Sequence, residues 1–208
     1  MKPPGSLPVQ LTSFVGRAAC VDLVGRLLAE NRLVSLVGPG GCGKTRLAVE
    51  VGRRAAPVAP DRVFFVDLAG LSDPGLLPGT VLRALGLREV PGHKPMETLV
   101  SRLSGRQVLI ILDNCEHLAA ACSDMAAQLT EVCPGTTVLS TSRERLRAQG
   151  EVVVDIEGLE LPEPRGGGDD WLLQSEAGRL FVERACTGRA DFALGAGDAA
   201  AVAGICQR

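Results

Sequence analysis

The sequence contains no tyrosine, one tryptophan and five phenylalanines, so aromatic residues make up only 3% of its 208 residues. It has no run of about 18 apolar residues, which excludes a transmembrane helix. The net charge is −2 at pH 7, so no overall positive field indicates a nucleic-acid-binding domain. Lysine is scarce, because Lys2, Lys44 and Lys94 are the only lysines among 22 basic residues. Hydrophobic residues nevertheless account for 46% of the chain, which predicts a folded globular protein.

Export signals and disulfide patterns are also lacking. Residues 1–10 are proline-rich and lack the apolar core of a signal peptide. The seven cysteines are an odd number without framework spacing, so we expect free thiols in a reducing, cytoplasmic environment. A zinc site made of Cys115, His117, Cys122 and Cys133 is disfavoured, because these residues include no C-x-x-C pair and no second histidine.

Short apolar runs alternate with segments of helical spacing along most of the chain. This alternation indicates βαβ units with right-handed crossovers. We therefore predict an α/β fold with a five-stranded, mainly parallel sheet flanked by helices, and the phosphate-binding loop described below makes it one of the P-loop NTPase type. The predicted strands are 33–37, 63–68, 107–112, 136–141 and 151–156, and the predicted helices are 17–30, 44–56, 76–85, 95–104 and 117–133.

Changes in composition suggest a division of the chain. A proline- and glycine-rich stretch separates the alternating part from two further helical patterns, the second of which has Asp198 as its predicted cap. The last pattern stops at residue 208, as if a helical module had been cut there. The predicted parts are an N-terminal arm at 1–16, an α/β core at 17–158, a linker at 159–170 and a truncated helical subdomain at 171–208, and the family resemblance given below implies an adenine-side turn in the arm, an ATPase core and a helical lid.

A phosphate-binding loop is the strongest motif. Gly38 to Thr45 matches G-x-x-x-x-G-K-[ST] between a predicted strand and a predicted helix. Its glycines let backbone N–H groups converge on an anion, and the helix N-terminus adds positive potential. Lys44 would reach the β- and γ-phosphates, and Thr45 would bind Mg²⁺. The alternative is a glycine-rich turn that binds no ligand, but such a turn rarely matches this pattern by chance. The predicted nucleotide-binding residues here are Gly38, Pro39, Gly40, Gly41, Cys42, Gly43, Lys44, Thr45 and Arg46.

A second acidic site is expected to hold the metal. Asp113 follows four apolar residues at the end of a predicted strand, the Walker B form in which the carboxylate holds Mg²⁺ through its water shell. The alternative is an aspartate that caps the next helix. The segment Asp67-Leu68-Ala69-Gly70 matches the D-x-x-G of GTPases, but the guanine-selecting N-K-x-D is absent. The sequence therefore favours ATP over GTP.

The residues that follow the third and fourth predicted strands determine how ATP hydrolysis would proceed. Asn114 stands where many ATPases place a water-polarising glutamate, and an amide cannot act as a base. Glu116 is our candidate catalytic base, although Glu116 and His117 are explained equally well as the start of a helix. Arg143 is our second catalytic candidate, a γ-phosphate sensor at the sheet's carboxyl edge, with a solvated arginine as the alternative. Slow hydrolysis follows in either case.

Together these motifs resemble the STAND class of signal-transduction ATPases. They look most like the nucleotide-binding domain of AfsR-type and LuxR-type bacterial transcriptional regulators, and the likeness covers nearly the whole chain. Each matching segment is weak alone, but the combination is specific. The matching segments are 11–17, 36–48, 65–69, 112–118 and 141–144.

The resemblance implies roles that residue spacing alone does not show. The turn of Val15, Gly16 and Arg17 would lie against the adenine base, Asp113 would be the magnesium aspartate, and Arg143 would be the first sensor. ADP would hold a closed, inactive monomer, and ATP would open it for assembly and transcription activation. Such a switch requires that two arrangements of the domains bind the nucleotide with different affinities. It does not require fast turnover.

These expectations define the function that we predict from the sequence. The leading hypothesis is a regulatory ATP/ADP switch with slow hydrolysis and Mg²⁺ as its cofactor. Further domains of the parent regulator would lie outside these 208 residues, so we expect no direct DNA binding or membrane contact here, and an ATP-dependent oligomer only in the full-length protein. The alternatives are an AAA+-like turnover ATPase with Glu116 as its base and, less favoured, a P-loop kinase or a GTPase.

Overall fold

The structure is a computed structural model that describes residues 6–56, 62–163, 170–189, 191–195 and 197–207. Within these residues the chain forms five strands and eight α-helices. The strands are β1 (Leu33–Val37), β2 (Val63–Asp67), β3 (Val108–Asp113), β4 (Thr136–Ser142) and β5 (Glu151–Asp155). The helices are α1 (Ala18–Glu30), α2 (Lys44–Ala55), α3 (Leu77–Ala84), α4 (Pro95–Leu103), α5 (Ala119–Val132), α6 (Trp171–Gln174), α7 (Glu176–Gly188) and α8 (Asp198–Cys206).

All five strands are parallel and form one sheet in the order β2-β3-β4-β1-β5. The predicted α/β fold with a five-stranded sheet is therefore confirmed. Because the strands are parallel, their carboxyl ends meet at one edge of the sheet. Strand β4 lies between β1 and β3, so the loops after these three strands are neighbours at that edge.

The sheet is covered on both faces, so its central strands are buried along almost their whole length. Every residue of β1 is buried, and β3 is buried except at Leu109. Side chains from α3, α4 and α5 complete a large cluster that includes Leu82, Leu99 and Leu129, each fully buried. None of the helices within the described parts of the chain is both long and apolar enough to cross a membrane.

Two helix starts differ from the sequence prediction. Asn114 adopts a left-handed conformation (φ 63°) and is followed by a tight 3-10 turn, Cys115–Leu118, so α5 begins at Ala119 rather than at residue 117. Asp198 is the first residue of α8 instead of its cap, and Gly197 (φ 93°) is the cap. The Asp198 carboxylate accepts a hydrogen bond from Gly195 N–H, so this carboxylate points back toward the preceding loop. Both corrections concern local turns that helical periodicity does not report.

The described residues fall into two compact units. Unit 1 contains Ala19–Glu157 and the N-terminal residues up to Leu11, and it holds the whole sheet. Unit 2 contains Thr12–Ala18 and the described residues from Gly158 onward. Unit 2 has its own small core, in which Leu172, Ala199 and Val202 are buried. Parts of the predicted arm (1–5), linker (164–169) and helical subdomain (190, 196 and 208) lie outside the described residues.

Candidate functional site

The glycine-rich loop connects β1 to α2 at the carboxyl edge of the sheet. Gly41 (φ 79°) and Gly43 (φ 91°) are left-handed, and Gly43 is the N-cap of α2. A Cβ on Gly38 would lie 2.2 Å from the Ile156 carbonyl oxygen, so only glycine fits between the loop and the end of β5. The loop therefore has the turns and the close backbone approach that a phosphate cradle requires.

Lys44 folds over the loop. Its Nζ donates hydrogen bonds to the carbonyl oxygens of Gly38 (2.9 Å) and Pro39 (2.8 Å), and it lies 3.9 Å from the Cys42 Sγ. The next residues begin α2, where the Arg46 carbonyl accepts a hydrogen bond from Gln10 Nε2 (3.3 Å). The ammonium of Lys44 is therefore held at the place where the motif predicts phosphate.

The predicted metal aspartate is joined to the loop by hydroxyl groups. Asp113 ends β3 and is 3% exposed. Its Oδ1 accepts hydrogen bonds from Thr45 Oγ1 (2.7 Å), at the start of α2, and from Thr141 Oγ1 (2.5 Å), near the end of β4. Three elements thus place a carboxylate and two hydroxyls together beside the phosphate loop.

Burial raises the pKa of the Asp113 carboxyl above its ordinary value of 3.8. The hydrogen bonds from Thr141 and Thr45 oppose this shift, and the charges of Asp67 and Glu116 add to it. The folded protein therefore holds Asp113 in an environment that disfavours its negative charge. A divalent cation at this place would relieve that penalty, because a positive charge favours the carboxylate.

The same donor set fits Mg²⁺. This cation prefers oxygen ligands, keeps several waters, and is usually held by one or two carboxylates together with substrate phosphates. Thr45 Oγ1 and Asp113 Oδ1 are 2.7 Å apart and offer such oxygens next to the loop. No group of three or more His, Cys, Asp or Glu side chains suited to a metal occurs in the described part of the chain.

Asn114 is held by the two neighbouring strands. Its N–H donates to Thr141 Oγ1 (3.1 Å), and its Nδ2 donates to Asp113 Oδ2 (3.2 Å) and Asp67 Oδ1 (3.3 Å). Asp67 ends β2, which is separated from β1 by β3 and β4. The D-x-x-G segment is therefore on an outer strand, and Asp113 is the carboxylate that contacts the loop hydroxyl.

Glu116 and Arg143 form an ion pair, with Glu116 Oε1 3.2 Å from Arg143 Nε. Glu116 belongs to the 3-10 turn after β3, and Arg143 directly follows β4. A Cβ on Gly40 would lie 3.3 Å from Arg143 Nη2, so the guanidinium also rests against the phosphate loop. The two candidate catalytic side chains are thus together, and Arg143 lies between the loop and Glu116.

The cysteine cluster considered for zinc has a different environment. Cys115, Cys122 and Cys133 are buried, and the Cys115 Sγ donates to the Leu112 carbonyl (3.4 Å). A hydrogen bond with Cys122 and burial raise the pKa of the Cys115 thiol well above its ordinary value. His117 Nε2 instead contacts the Leu71 carbonyl oxygen (2.8 Å). Burial also raises the pKa of the Cys133 thiol, and all three cysteines pack in the hydrophobic core of the sheet and its helices.

Comparison with known families decides the classification. The family profile described as "AAA domain" matches residues 28–149, which include the phosphate loop, Asp113 and Arg143. The chain belongs to the AAA domain family. The matched residues also contain four of the five strands of the sheet.

The AAA domain has bacterial relatives. It is 39% identical over 198 residues to an uncharacterised protein of Mycobacterium tuberculosis, covering 95% of this chain and 47% of the relative. It is 38% identical to a protein of the same organism named as an HTH-type transcriptional regulator (88% and 19% covered), and 33% identical to the regulatory protein AfsR of Streptomyces coelicolor (86% and 18% covered). The chain thus spans about half or less of these relatives. The expected resemblance to the P-loop domain of AfsR-type regulators is confirmed.

Solved structures share the fold of the AAA domain. A STAND protein with a tetratricopeptide repeat sensor from Pyrococcus horikoshii superposes with a TM-score of 0.56 at 17% identity, covering 98% of this chain and 29% of that one. Cdc6p from Pyrobaculum aerophilum gives a TM-score of 0.53 at 13% identity, covering 88% and 52%. At these identities the likeness shows the fold alone.

The predicted adenine-side turn is part of unit 2. Gly16 (φ 74°) and Arg17 (φ 55°) are both left-handed, and Arg17 N–H donates to Glu176 Oε1 (2.5 Å) at the start of α7. A Cβ on Gly16 would lie 2.7 Å from the Glu176 Cδ, so the turn requires glycine there. The role of Val15, Gly16 and Arg17 at a base remains a prediction.

Sequence reasoning missed Thr141, which donates to Asp113 and accepts from Asn114 N–H. It named Asp67 only in the D-x-x-G alternative, whereas the structure shows Asp67 accepting from the Asn114 amide. A signal for Thr141 is present in the sequence, because Ser140, Thr141 and Ser142 are polar residues at the end of a strand that is buried except at Thr137. Thr141 meets Asp113 because β4 lies beside β3, and the sequence does not specify that order of the strands.

Proposed function

We propose that this AAA domain binds an adenine nucleotide with Mg²⁺ and serves as an ATP/ADP switch with slow hydrolysis in a bacterial transcriptional regulator. The observation that carries the proposal is the hydrogen-bonded cluster of Thr45, Asp113 and Thr141 beside the phosphate loop. The cluster offers a hydroxyl and a carboxylate oxygen next to a loop built for phosphate, which is the donor arrangement that Mg-nucleotide sites use.

Each residue of the loop has a defined task in this proposal. Backbone N–H groups of the loop and the N-terminus of α2 would bind the phosphates, and Lys44 would exchange its hydrogen bonds to Gly38 and Pro39 for bonds to phosphate oxygens. Thr45 and Asp113 would hold Mg²⁺, which when bound neutralises charge on the phosphates. Gly38 keeps the loop close to β5, so the cradle is set before the ligand arrives.

Slow hydrolysis is supported by the residues that follow Asp113. The Asn114 amide cannot accept a proton, and it is engaged with Asp113 and Asp67. Glu116 is the only other candidate base that we named, and its carboxylate is paired with Arg143. A nucleotide held for long periods suits a switch, because the switch depends on which nucleotide is bound.

The regulatory context is proposed from the relatives. The named HTH-type regulator and AfsR are much longer than this chain, which covers 19% and 18% of them. In a parent protein of that kind, 17–158 would be the ATPase core and 171–208 the start of a lid. Val15, Gly16 and Arg17 would read the adenine, ADP would hold a closed state, and ATP would favour assembly.

The test is nucleotide binding by the purified protein. Titration calorimetry with Mg-ADP should show that Lys44→Ala weakens binding about 10- to 150-fold, since a charge-assisted bond to phosphate is lost. Lys94→Ala is the matched control, because Lys94 lies at the start of α4 and its backbone hydrogen bonds survive the substitution. Equal affinities of the wild type and Lys44→Ala would contradict the site, and co-purified GDP instead of ADP would contradict the adenine preference.

A further inference from the structure

The Glu116–Arg143 ion pair lies where the phosphate loop meets the ends of β3 and β4. Glu116 is 28% exposed and Arg143 is 68% exposed, and their charged atoms are 3.2 Å apart. Because β4 lies between β1 and β3, Arg143 has the phosphate loop on one side and Glu116 on the other. A Cβ on Gly40 would lie 3.3 Å from Arg143 Nη2 and 3.8 Å from Arg143 Nε, so the guanidinium edge that contacts Glu116 also lies close to the loop.

This arrangement places one guanidinium between two possible anionic partners. Arg143 contacts Glu116 through Nε, while Nη2 lies against the loop that is built for phosphate. Nε and Nη2 form one donor edge of the guanidinium, so a terminal phosphate that takes this edge weakens its bond to the carboxylate. Glu116 therefore competes with a phosphate for the same cation.

From this competition we infer that Glu116 is a positioning residue that sets how strongly the site prefers ATP over ADP. Glu116 holds Arg143 in the ADP state, and the γ-phosphate of ATP displaces it. The inference rests on the proposed function and deepens it by naming the element that senses the third phosphate. It also replaces the candidate role of Glu116 as a general base with a role that acts through Arg143.

The charges around the pair predict a second, non-selective effect of removing Glu116. Glu116 raises the pKa of the Asp113 carboxyl, as does Asp67. Loss of the Glu116 charge would therefore change Mg²⁺ binding at Asp113 with either nucleotide. Only the ratio of the ATP and ADP affinities reports on Arg143, so the ratio is the quantity to measure.

The experiment compares Mg-ADP with the magnesium complex of β,γ-imido-ATP in calorimetric titrations. We expect Glu116→Ala and Glu116→Gln to increase the preference for the ATP analogue about 3-fold, the size of a released surface ion pair. Arg143→Ala should reduce that preference about 10-fold, because a charge-assisted bond to the third phosphate is lost. Glu144→Ala is the matched control, since it removes an exposed carboxylate next to Arg143 in the chain and should leave the ratio unchanged.

The double variant Glu116→Ala/Arg143→Ala separates this role from others. If Glu116 acts through Arg143, the double variant has the same affinity ratio as Arg143→Ala alone. An unchanged ratio in Glu116→Ala, together with lost ATP hydrolysis, would overturn the inference and make Glu116 a base. Failure of the proposed function gives a different result, because Lys44→Ala would then bind both nucleotides as the wild type does.

Discussion

Asp113 is a buried carboxylate, and its burial disfavours the negative charge. It is 3% exposed, and burial together with the charges of Asp67 and Glu116 raises its pKa. In Asp113→Asn the Oδ1 atom still accepts from Thr45 and Thr141, and the Asn114 amide turns to pair with the new amide. Without nucleotide, we expect the variant to be more stable by about 1 kcal/mol at neutral pH. Calorimetry should show a rise in Tm of about 2–4 °C and a loss of Mg²⁺-dependent nucleotide affinity.

The sign of the pH dependence tests the cause of this gain. A carboxyl with a raised folded pKa contributes stability below its unfolded value near 3.8, and that contribution is lost as pH rises through the folded pKa. The advantage of Asp113→Asn should therefore be largest at neutral pH and vanish in acid. Asp124→Asn, which changes an exposed aspartate of α5, should shift stability by less than about 0.5 kcal/mol. A variant less stable than the wild type at neutral pH would show that Asp113 is well accommodated as an anion.

The site could be predicted from sequence where its residues are neighbours in the chain. Gly38 to Thr45 is one continuous motif, and its turn, its lysine and its hydroxyl follow from local geometry. Asp113 was also predictable, because an acidic residue directly after a buried strand lies at the sheet edge. The hydrogen bond from Thr141 and the pairing of Glu116 with Arg143 depend on the order of the strands, and no local pattern carries that order.

The strands and most helices could be predicted because each has its own periodicity. β1 and β3 are largely apolar runs because helices cover both faces of the sheet. Local turns were harder, as the 3-10 turn at Cys115–Leu118 and the cap at Gly197 show. The place of Thr12–Ala18 in unit 2 could not be predicted, because it is set by contacts with a helix more than 150 residues later, such as Arg17 N–H to Glu176.

Helix α7 fixes the segment Thr12–Ala18 through two charged side chains. Glu176 accepts from Arg17 N–H (2.5 Å), and Arg184 Nη2 donates to the Ser13 carbonyl oxygen (2.9 Å). We expect Glu176→Ala to destabilise unit 2 by about 1–2 kcal/mol, because a charge-assisted bond is lost and a backbone donor is left unpaired. The measurement is urea unfolding followed by the fluorescence of Trp171, the only tryptophan of the chain.

Two further variants define the cause of that effect. Glu176→Gln keeps a carbonyl acceptor for Arg17 N–H and should lose less stability than Glu176→Ala. Arg179→Ala changes an exposed side chain of the same helix and should alter stability by less than about 0.5 kcal/mol. Equal losses in all three variants would contradict a specific contribution of the bond between Glu176 and Arg17 N–H.

The two units of the chain have cores of unequal size. In unit 1 the sheet and its helices bury a large cluster that includes Leu33, Leu99 and Ile110. In unit 2 the buried cluster consists of Leu172, Ala199 and Val202, with Trp171 and Phe181 packed against it. A smaller buried area gives less stabilisation, so the free energy of opening should be lower for unit 2 than for unit 1.

This difference can be measured because the chain has no tyrosine and one tryptophan, so its fluorescence reports on unit 2 alone. In urea, the Trp171 transition should precede the main far-UV circular dichroism transition, to which the helices and strands of unit 1 contribute most. Leu172→Ala should destabilise unit 2 by about 2–5 kcal/mol and so lower the urea midpoint of the fluorescence transition. The main dichroism transition should stay in place. Leu99→Ala, the same substitution at a fully buried site in unit 1, should do the reverse. Coincident transitions that shift together in both variants would show instead that the two cores unfold as one cooperative body.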